Sequence, residues 1–310
     1  MDESFHSNYH TSKEVFSYLQ GIITSNPSMT KPVTIGSTHL GQEIKGIIVT
    51  NNIESKLTEQ KPKLLIHGGQ HAREWITVAT TMFLIEEFIN SKSALLDVFQ
   101  IILVPILNVD GYDYTWDQDR LWRKNRQKDP KSNCMGIDLN RNWGDHWAPS
   151  TKNRCDETYP GSEPFLAPEI KALSQFILSQ KNLLGYLDIH AYSQLWMYPF
   201  GYTCDPNLDV QNKYYELSYQ VTQALAELYG TKYEFGPICN TIYAAYGSSV
   251  DWAYGKGNVK YPFTIELRDK GQYGFFLPKE QIIPTGKELM QGLLSFVQNM
   301  INIEKLKPIV

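Results

Sequence analysis

The sequence predicts an α/β fold built as a single domain over residues 1–310. Three observations carry that expectation. Near-continuous apolar runs at 63–66, 100–105, 185–190 and 262–267 read as strands covered by helices on both faces, since a strand with one wet face would alternate. Stretches of helical length and period lie before, between and after them. With 310 residues, 42% of them hydrophobic, and no linker, internal repeat or low-complexity segment, one large core is within reach.

In chain order, Thr11-Ser12-Lys13-Glu14 is a capping box that opens a first helix running to about residue 23. Short strands near 33–35 and 44–49 follow, hinged around Leu40-Gly41. The strand at 63–66 breaks at Gly68-Gly69, and an apolar-faced helix runs from 74 to about 90. After the strand at 100–105, residues 110–161 are polar and rich in Trp, Arg and Asn. A stretch that long reads as a loop that carries function. Helical patterns recur at 168–179, 212–228 and 280–302, around the strands at 185–190 and 262–267.

Charge and composition exclude several classes. A net charge of -4 without a dense Lys/Arg cluster argues against a nucleic-acid partner. No apolar run has the length to cross a bilayer, so no membrane association is expected. The opening Met1-Asp2-Glu3-Ser4-Phe5-His6 has neither the basic nor the apolar region of a signal peptide. The expectation is either an intracellular protein or a mature form without its leader. The four cysteines contain no C-x-x-C. Pairing Cys134 with Cys155 and Cys204 with Cys239 would close two modest loops, each stabilising by roughly 3–4 kcal/mol. Four buried free thiols are also an acceptable reading, for a cytosolic enzyme.

The stretch richest in chemistry is His71-Ala72-Arg73-Glu74, set between a strand end and a helix start. Its imidazole and carboxylate can reach one metal ion, and His190, closing another apolar strand, offers a third ligand. Two His and one Glu leave zinc an open fourth position, the pattern of a catalytic site. An isolated H-x-x-E is common by chance; the Gly68-Gly69 turn before it and the apolar helix after it narrow the reading. His67 lies four residues before His71, but the glycines between them disfavour a helical pair. It reads as a strand-end histidine with an ordinary hydrogen-bond partner.

Arg120-Leu121-Trp122-Arg123-Lys124-Asn125-Arg126 and Asn140-Arg141-Asn142-Trp143 place guanidinium and amide groups together, a combination that grips a carboxylate. On charge pattern alone, a solvated face anchored by tryptophans is the more economical reading. Glu266 interrupts an apolar strand, which is costly unless it is paired or faces a cleft. Two readings balance: a general base beside zinc, or a strand-end Glu paired with Arg268 or a lysine. There is no H-E-x-x-H, so a base in a zinc hydrolase must come from outside the zinc helix.

Taken together, residues 66–75, 120–124, 138–143, 190–194, 241–243 and 265–269 closely resemble, in order, the zinc metallocarboxypeptidases of the A/B type. The match to a mature catalytic domain without its prodomain runs from about residue 8 to the C-terminal helix. The resemblance implies a carboxypeptidase A-like fold, with a central mixed parallel/antiparallel sheet of about eight strands and helices on both faces. It implies one Zn2+ per chain on His71, Glu74 and His190, with Glu266 as general base and Arg123 stabilising the oxyanion. Asn140, Arg141 and Tyr243 would hold the substrate's terminal carboxylate. Arg73 would contact the peptide further from the cut, Asp138 would orient the His71 ring, and Tyr192 and Phe275 would line subsites. Both cysteine pairs match bridges of the family.

The activity so implied is a zinc-dependent exopeptidase removing a single C-terminal residue. Its side-chain preference depends on the pocket floor, where the family places an acidic residue for Lys or Arg and an aliphatic one for apolar side chains. Val250 occupies that position, with Ile238, Ile242, Ala245 and Thr264 as a fitting lining and Ser248 as the polar exception. The expectation is A-type preference for aromatic or large aliphatic residues. The resemblance also implies a secreted, zymogen-derived monomer whose partners are peptide C-termini, an N-terminal prodomain and proteinaceous inhibitors. Two competing readings are a zinc amidohydrolase acting on acylated amino acids or cell-wall peptides, and an inactive C-terminus binder. The carboxylate-binding set speaks against the first, and the retained ligands and Glu266 against the second.

Overall fold

Hydrophobic runs with period-two side chains place alternate residues on opposite sheet faces, and both faces are covered. The computed structural model describes residues 3–91, 94–205 and 207–309. Its strands are β1 (Thr30–Ser37), β2 (Glu43–Val49), β3 (Lys63–His67), β4 (Gln100–Val104), β5 (Leu183–Ala191), β6 (Leu195–Tyr198), β7 (Glu234–Pro237) and β8 (Tyr261–Leu267). They form one eight-stranded sheet in the order β1-β2-β4-β3-β5-β8-β6-β7. The central β4, β3, β5 and β8 are parallel. The β1-β2 hairpin adds antiparallel to β4 on one side; β6 adds antiparallel to β8 on the other, with β7 parallel beyond it. This is the mixed sheet expected from the sequence.

Leu64, Ile66, Ile101, Leu103, Leu187 and Ile189 face one layer, against helices Ser12–Ser25, Trp75–Asn90, Leu208–Ala226 and Ile282–Glu304. Leu65, Ile102, Val104 and Tyr186 face the other, against helices Pro168–Ser179 and Ser249–Gly255. The capping box at Thr11 is formed in both directions: the Thr11 amide donates to Glu14 Oε2 at 2.8 Å, and Glu14's amide donates to Thr11 Oγ1 at 3.4 Å. His67 has the ordinary partner expected of it, the Tyr186 hydroxyl 2.6 Å from Nε2.

Several details depart from the sequence reading. β6 and β7 were not anticipated; at four residues each they are too short to display a period. Helix Val109–Asp117 occupies the start of the stretch read as loop, because its polar VDGYDYTWD sequence shows no clean apolar stripe. Asn108 starts it, its Oδ1 accepting from the Gly111 amide at 3.0 Å. Helix Ser249–Gly255 was also missed. All four cysteines are paired, Cys134 with Cys155 and Cys204 with Cys239, so the free-thiol alternative falls away. Among the described residues no helix is long and apolar enough to cross a membrane.

Candidate active site

Topology decides where the chemistry gathers. From β3 the chain passes to β4 on one side, whereas β5 lies against the other side of β3. Connections that diverge in this way open a crevice at the carboxyl ends of parallel strands. The loop after β3 carries His71 and Glu74, and β5 ends with His190. In the β5-β8 register His190 faces Glu266 and Asp188 faces Thr264, so these four side chains share one face.

The loop after β3 is held close to the sheet. Gly69 adopts φ +62°, and a Cβ on Gly68 would lie 2.7 Å from the Thr77 carbonyl oxygen. Glu74 sits at the cap position of helix Trp75–Asn90 yet makes no side-chain capping bond, which frees its carboxylate to turn into the crevice. His71 Nδ1 lies 2.9 Å from Glu74 Oε1, His190 Nδ1 lies 3.0 Å from Glu74 Oε2, and the two Nδ1 atoms are 3.1 Å apart. On the far side of each ring, His71 Nε2 is 3.1 Å from Asp138 Oδ1 and His190 Nε2 is 2.9 Å from Asp188 Oδ1.

In the tautomer with the proton on Nε2 of each ring, both Nδ1 lone pairs and the Glu74 carboxylate converge with no proton between them. All three residues are buried, and their ligand atoms fall within 4.8 Å of one another. Such a donor set repels itself unless a cation is shared, and the rings oriented by carboxylates are those zinc requires. Burial would raise the Glu74 pKa, but positive charge at His71 and then His190 outweighs it and holds the carboxyl well below its usual range, as a shared cation would. Asp138 is likewise held low against its burial, chiefly by Arg123 and then by His71.

Glu266 stands apart from these pairs. Its Oε2 is buried with no hydrogen-bond partner among the described residues. Burial pushes its carboxyl up to about 8, relieved in part by His190 and increased again by Glu74. The alternative that Arg268 neutralises it fails: Arg268 donates through Nε to Glu288 Oε1 at 2.9 Å and through Nη2 to Glu288 Oε2. Glu266 therefore faces the cleft without a partner.

His71, Glu74, His190, Glu266, Arg123, Arg73, Asn140, Arg141, Tyr192, Tyr243, Val250 and Phe275 all line one cavity of about 370 Å³, and Asp138 lies behind it. Arg123 is fixed by Asp138, Nε to Oδ2 at 3.0 Å, and its Nη1 lies 3.9 Å from Glu74 Oε1. Asn140 accepts from the Ser249 amide at 2.9 Å, and Arg141, buried, donates to the Asn140 carbonyl at 2.7 Å. The half-exposed Tyr243 ring lies 5.8 Å from the Arg141 guanidinium. On the opposite rim Arg73 sits 4.3 Å over Phe275, whose ring meets Tyr192 edge-on at 5.1 Å. Arg73 also pairs with Glu157 at 2.8 Å. Val250, Ile238, Ile242, Ala245 and Thr264 line the same cavity. Ser248 is occupied as a helix cap, its hydroxyl accepting from the Asp251 amide at 3.3 Å.

Sequence reading passed over the layer beneath His190. Asp188 Oδ2 accepts from Gln70 Nε2 at 2.8 Å and from the Ser249 hydroxyl, so it ties the metal loop to helix Ser249–Gly255. The available signal was a carboxylate two positions before a ligand histidine, on the same strand face. The zinc carboxypeptidase family model matches residues 15–292. The chain belongs to that family.

Among its relatives, carboxypeptidase B of Astacus astacus is 40% identical over 294 residues, covering 93% of this chain and 95% of that one. Human carboxypeptidase A1 is 37% identical over 305 residues, covering 96% of this chain and 71% of that one. Of solved structures, bovine thrombin-activatable fibrinolysis inhibitor in complex with tick carboxypeptidase inhibitor superimposes with TM-score 0.89 at 32% identity, over 96% of this chain and 99% of that one. Carboxypeptidase A from Helicoverpa armigera gives TM-score 0.88 at 27% identity, covering 97% and 75%. This zinc carboxypeptidase is thus an exopeptidase that removes C-terminal residues. Its His-Glu-His cluster fits the metal that the family is named for.

Proposed function

We propose that residues 1–310 act as one catalytic unit that removes a single C-terminal residue and prefers aromatic or large aliphatic side chains. One observation carries the preference: among the described residues the acidic ones lining the cavity are Glu74 and Glu266, and Val250 lines it with Ile238, Ile242 and Ala245. A C-terminal lysine buried there would lack a counter-charge, which costs several kcal/mol. A relative named carboxypeptidase B supports the opposite preference, for basic residues, and makes the question experimental.

In this reading His71, Glu74 and His190 hold the chain's one zinc ion. Zinc, when bound, supplies Lewis acidity toward water and the scissile carbonyl. Glu266 takes a proton from the attacking water at its free Oε2 and returns it to the leaving amine. Arg123, kept rigid by Asp138, offers N–H groups to the developing oxyanion; losing one such donor typically costs roughly 2.7–4 kcal/mol of barrier. Arg141, Asn140 and Tyr243 take the terminal carboxylate, so that only a chain end fits. Arg73, Tyr192 and Phe275 meet residues upstream of the cut.

Two disulfides suit an oxidising compartment, which supports a secreted enzyme. We extend this to a zymogen-derived monomer with an N-terminal prodomain and proteinaceous inhibitors as partners, the latter by likeness to the inhibitor-bound bovine structure. Hydrolysis of blocked dipeptides ending in Phe, Leu, Lys or Glu, with and without a chelator, tests the core of the proposal. Phe and Leu should lead, and chelation should abolish turnover. A Lys preference would overturn the role given to Val250, and turnover that survives chelation would overturn the role of zinc.

A further inference from the structure

Arg120 occupies an unusual setting at the mouth of the cleft. Its Nη1 donates to the Arg73 carbonyl at 2.8 Å and its Nη2 to the Phe275 carbonyl. The guanidinium lies 3.7 Å over the Trp75 ring, with Phe276 at 5.1 Å. Trp75 is itself braced by Trp116, stacked at 4.1 Å. Among the described residues Arg120 has no carboxylate partner. A half-buried cation held only by two carbonyls and two rings gains little from charge pairing. Its planar fork does, however, match two acceptors on different segments.

Those segments are the metal loop and the loop after β8. The second is stiff within itself, since Asp269 accepts from the amides of Gly271, Tyr273 and Gly274 at 2.8, 2.7 and 3.1 Å. Its ties to the rest of the molecule include Arg120 and the Tyr9 hydroxyl, which donates to the Leu277 carbonyl at 2.7 Å. One guanidinium thus bonds the main chain of both Arg73 and Phe275, beside the direct packing of Arg73 on the Phe275 ring.

We infer that Arg120 is a positioning residue. It clamps the loop after β8 to the metal loop and so holds the Arg73–Phe275 pair in register for the substrate segment upstream of the cut. The inference rests on the reading that Arg73 and Phe275 contact that segment. Its signature is a dependence on substrate length: the preference for a blocked tetrapeptide over a blocked dipeptide, both ending in Phe, is what the clamp supports.

The experiment measures kcat and KM for both peptides with the zinc-loaded wild type and with Arg120→Ala, Arg120→Lys, Arg73→Ala, Phe275→Ala and the Arg120→Ala/Arg73→Ala double variant. Zinc content and melting temperature are recorded for each. In Arg120→Ala the tetrapeptide-to-dipeptide ratio of kcat/KM should fall by about tenfold, the scale of one lost net hydrogen-bond pair, with the loss in tetrapeptide KM. Lys cannot bridge both carbonyls and should not restore the ratio. The double variant should be no worse than the poorer single one, because both act on one contact. A ratio within twofold of wild type in Arg120→Ala, full recovery with Lys, or additive losses would each overturn the clamp. If Arg73→Ala and Phe275→Ala also leave the ratio unmoved, the upstream-contact reading fails and the inference with it. If they lower it while Arg120→Ala does not, the clamp alone is wrong.

Discussion

Val250→Asp is the sharpest perturbation of the proposed specificity. Val250 is 1% exposed and lines the cavity, whose acidic residues among those described are Glu74 and Glu266. Two unit charges about 4 Å apart attract by about 4 kcal/mol at an effective dielectric of 20. A cavity of about 370 Å³ retains water, which argues for discounting that attraction. A working value of about 2–3 kcal/mol corresponds to a roughly 30- to 150-fold gain in kcat/KM for a C-terminal Lys. Phe should lose by a similar factor, because its ring then faces a desolvated carboxylate. The Lys-to-Phe ratio should therefore move by roughly three to four orders of magnitude. The neighbouring Asp251 shows what burial does here: desolvation pushes its carboxyl up to about 6 despite backbone hydrogen bonds from Gly201 and Tyr202. The new carboxyl should also titrate high. Only its ionised form attracts Lys, so the Lys preference should grow with rising pH, between about pH 5 and pH 8. The assay is kcat/KM on paired Phe and Lys dipeptides across that range, with folding checked by melting temperature and zinc by metal analysis. A folded, zinc-loaded variant whose ratio moves less than about tenfold would refute Val250 as the floor.

Two further outcomes follow from the same site. Glu266→Gln keeps the side-chain volume and leaves His71, Glu74 and His190 in place, so kcat should fall by about 10²- to 10⁴-fold while zinc stays at one per chain. Turnover within threefold of wild type would remove Glu266 as the base. Stripping zinc should lower thermal stability, since a ligand at about 1,000 times its Kd stabilises by about 4 kcal/mol. At about 2 °C per kcal/mol for a chain this long, that is a shift of roughly 8 °C on metal addition. Superimposable melting curves with and without zinc would mean that His71, Glu74 and His190 do not bind it in the folded state.

The legible parts of the fold are those with a long, strong period. β3, β4, β5 and β8 are buried on both faces, so their sequences are almost purely apolar and announce themselves. β6 and β7 do not, because four residues complete no pattern and their place is set by β8 and by each other. Helix Val109–Asp117 was hidden by its own polarity: Asp110 is buried only because Thr38, Leu40 and Gln42 satisfy its carboxylate, partners some seventy residues away. The site divides in the same way. The residues now placed as metal ligands carry a local signature of residue type and spacing, whereas Arg120 gave only a charge run. Its carbonyl partners leave no trace in side-chain identity, and the chain must fold before they exist.

Charge balance explains why this arrangement needs no further residues to be stable and selective. Glu74, Asp138 and Asp188 are buried carboxylates, Arg123 is the guanidinium set among them, and the histidines are neutral when they serve as ligands. Among these four groups three negative charges stand against one positive, an excess that a divalent cation offsets. Arg141 is buried, its charge helps to hold Asp138 ionised, and among the described residues its hydrogen-bond acceptor is the Asn140 carbonyl. The charge it lacks is the one a peptide C-terminus brings. In the function proposed here, metal and substrate carboxylate each supply charge that the folded site is short of, and an internal peptide bond, which has no carboxylate, cannot serve Arg141.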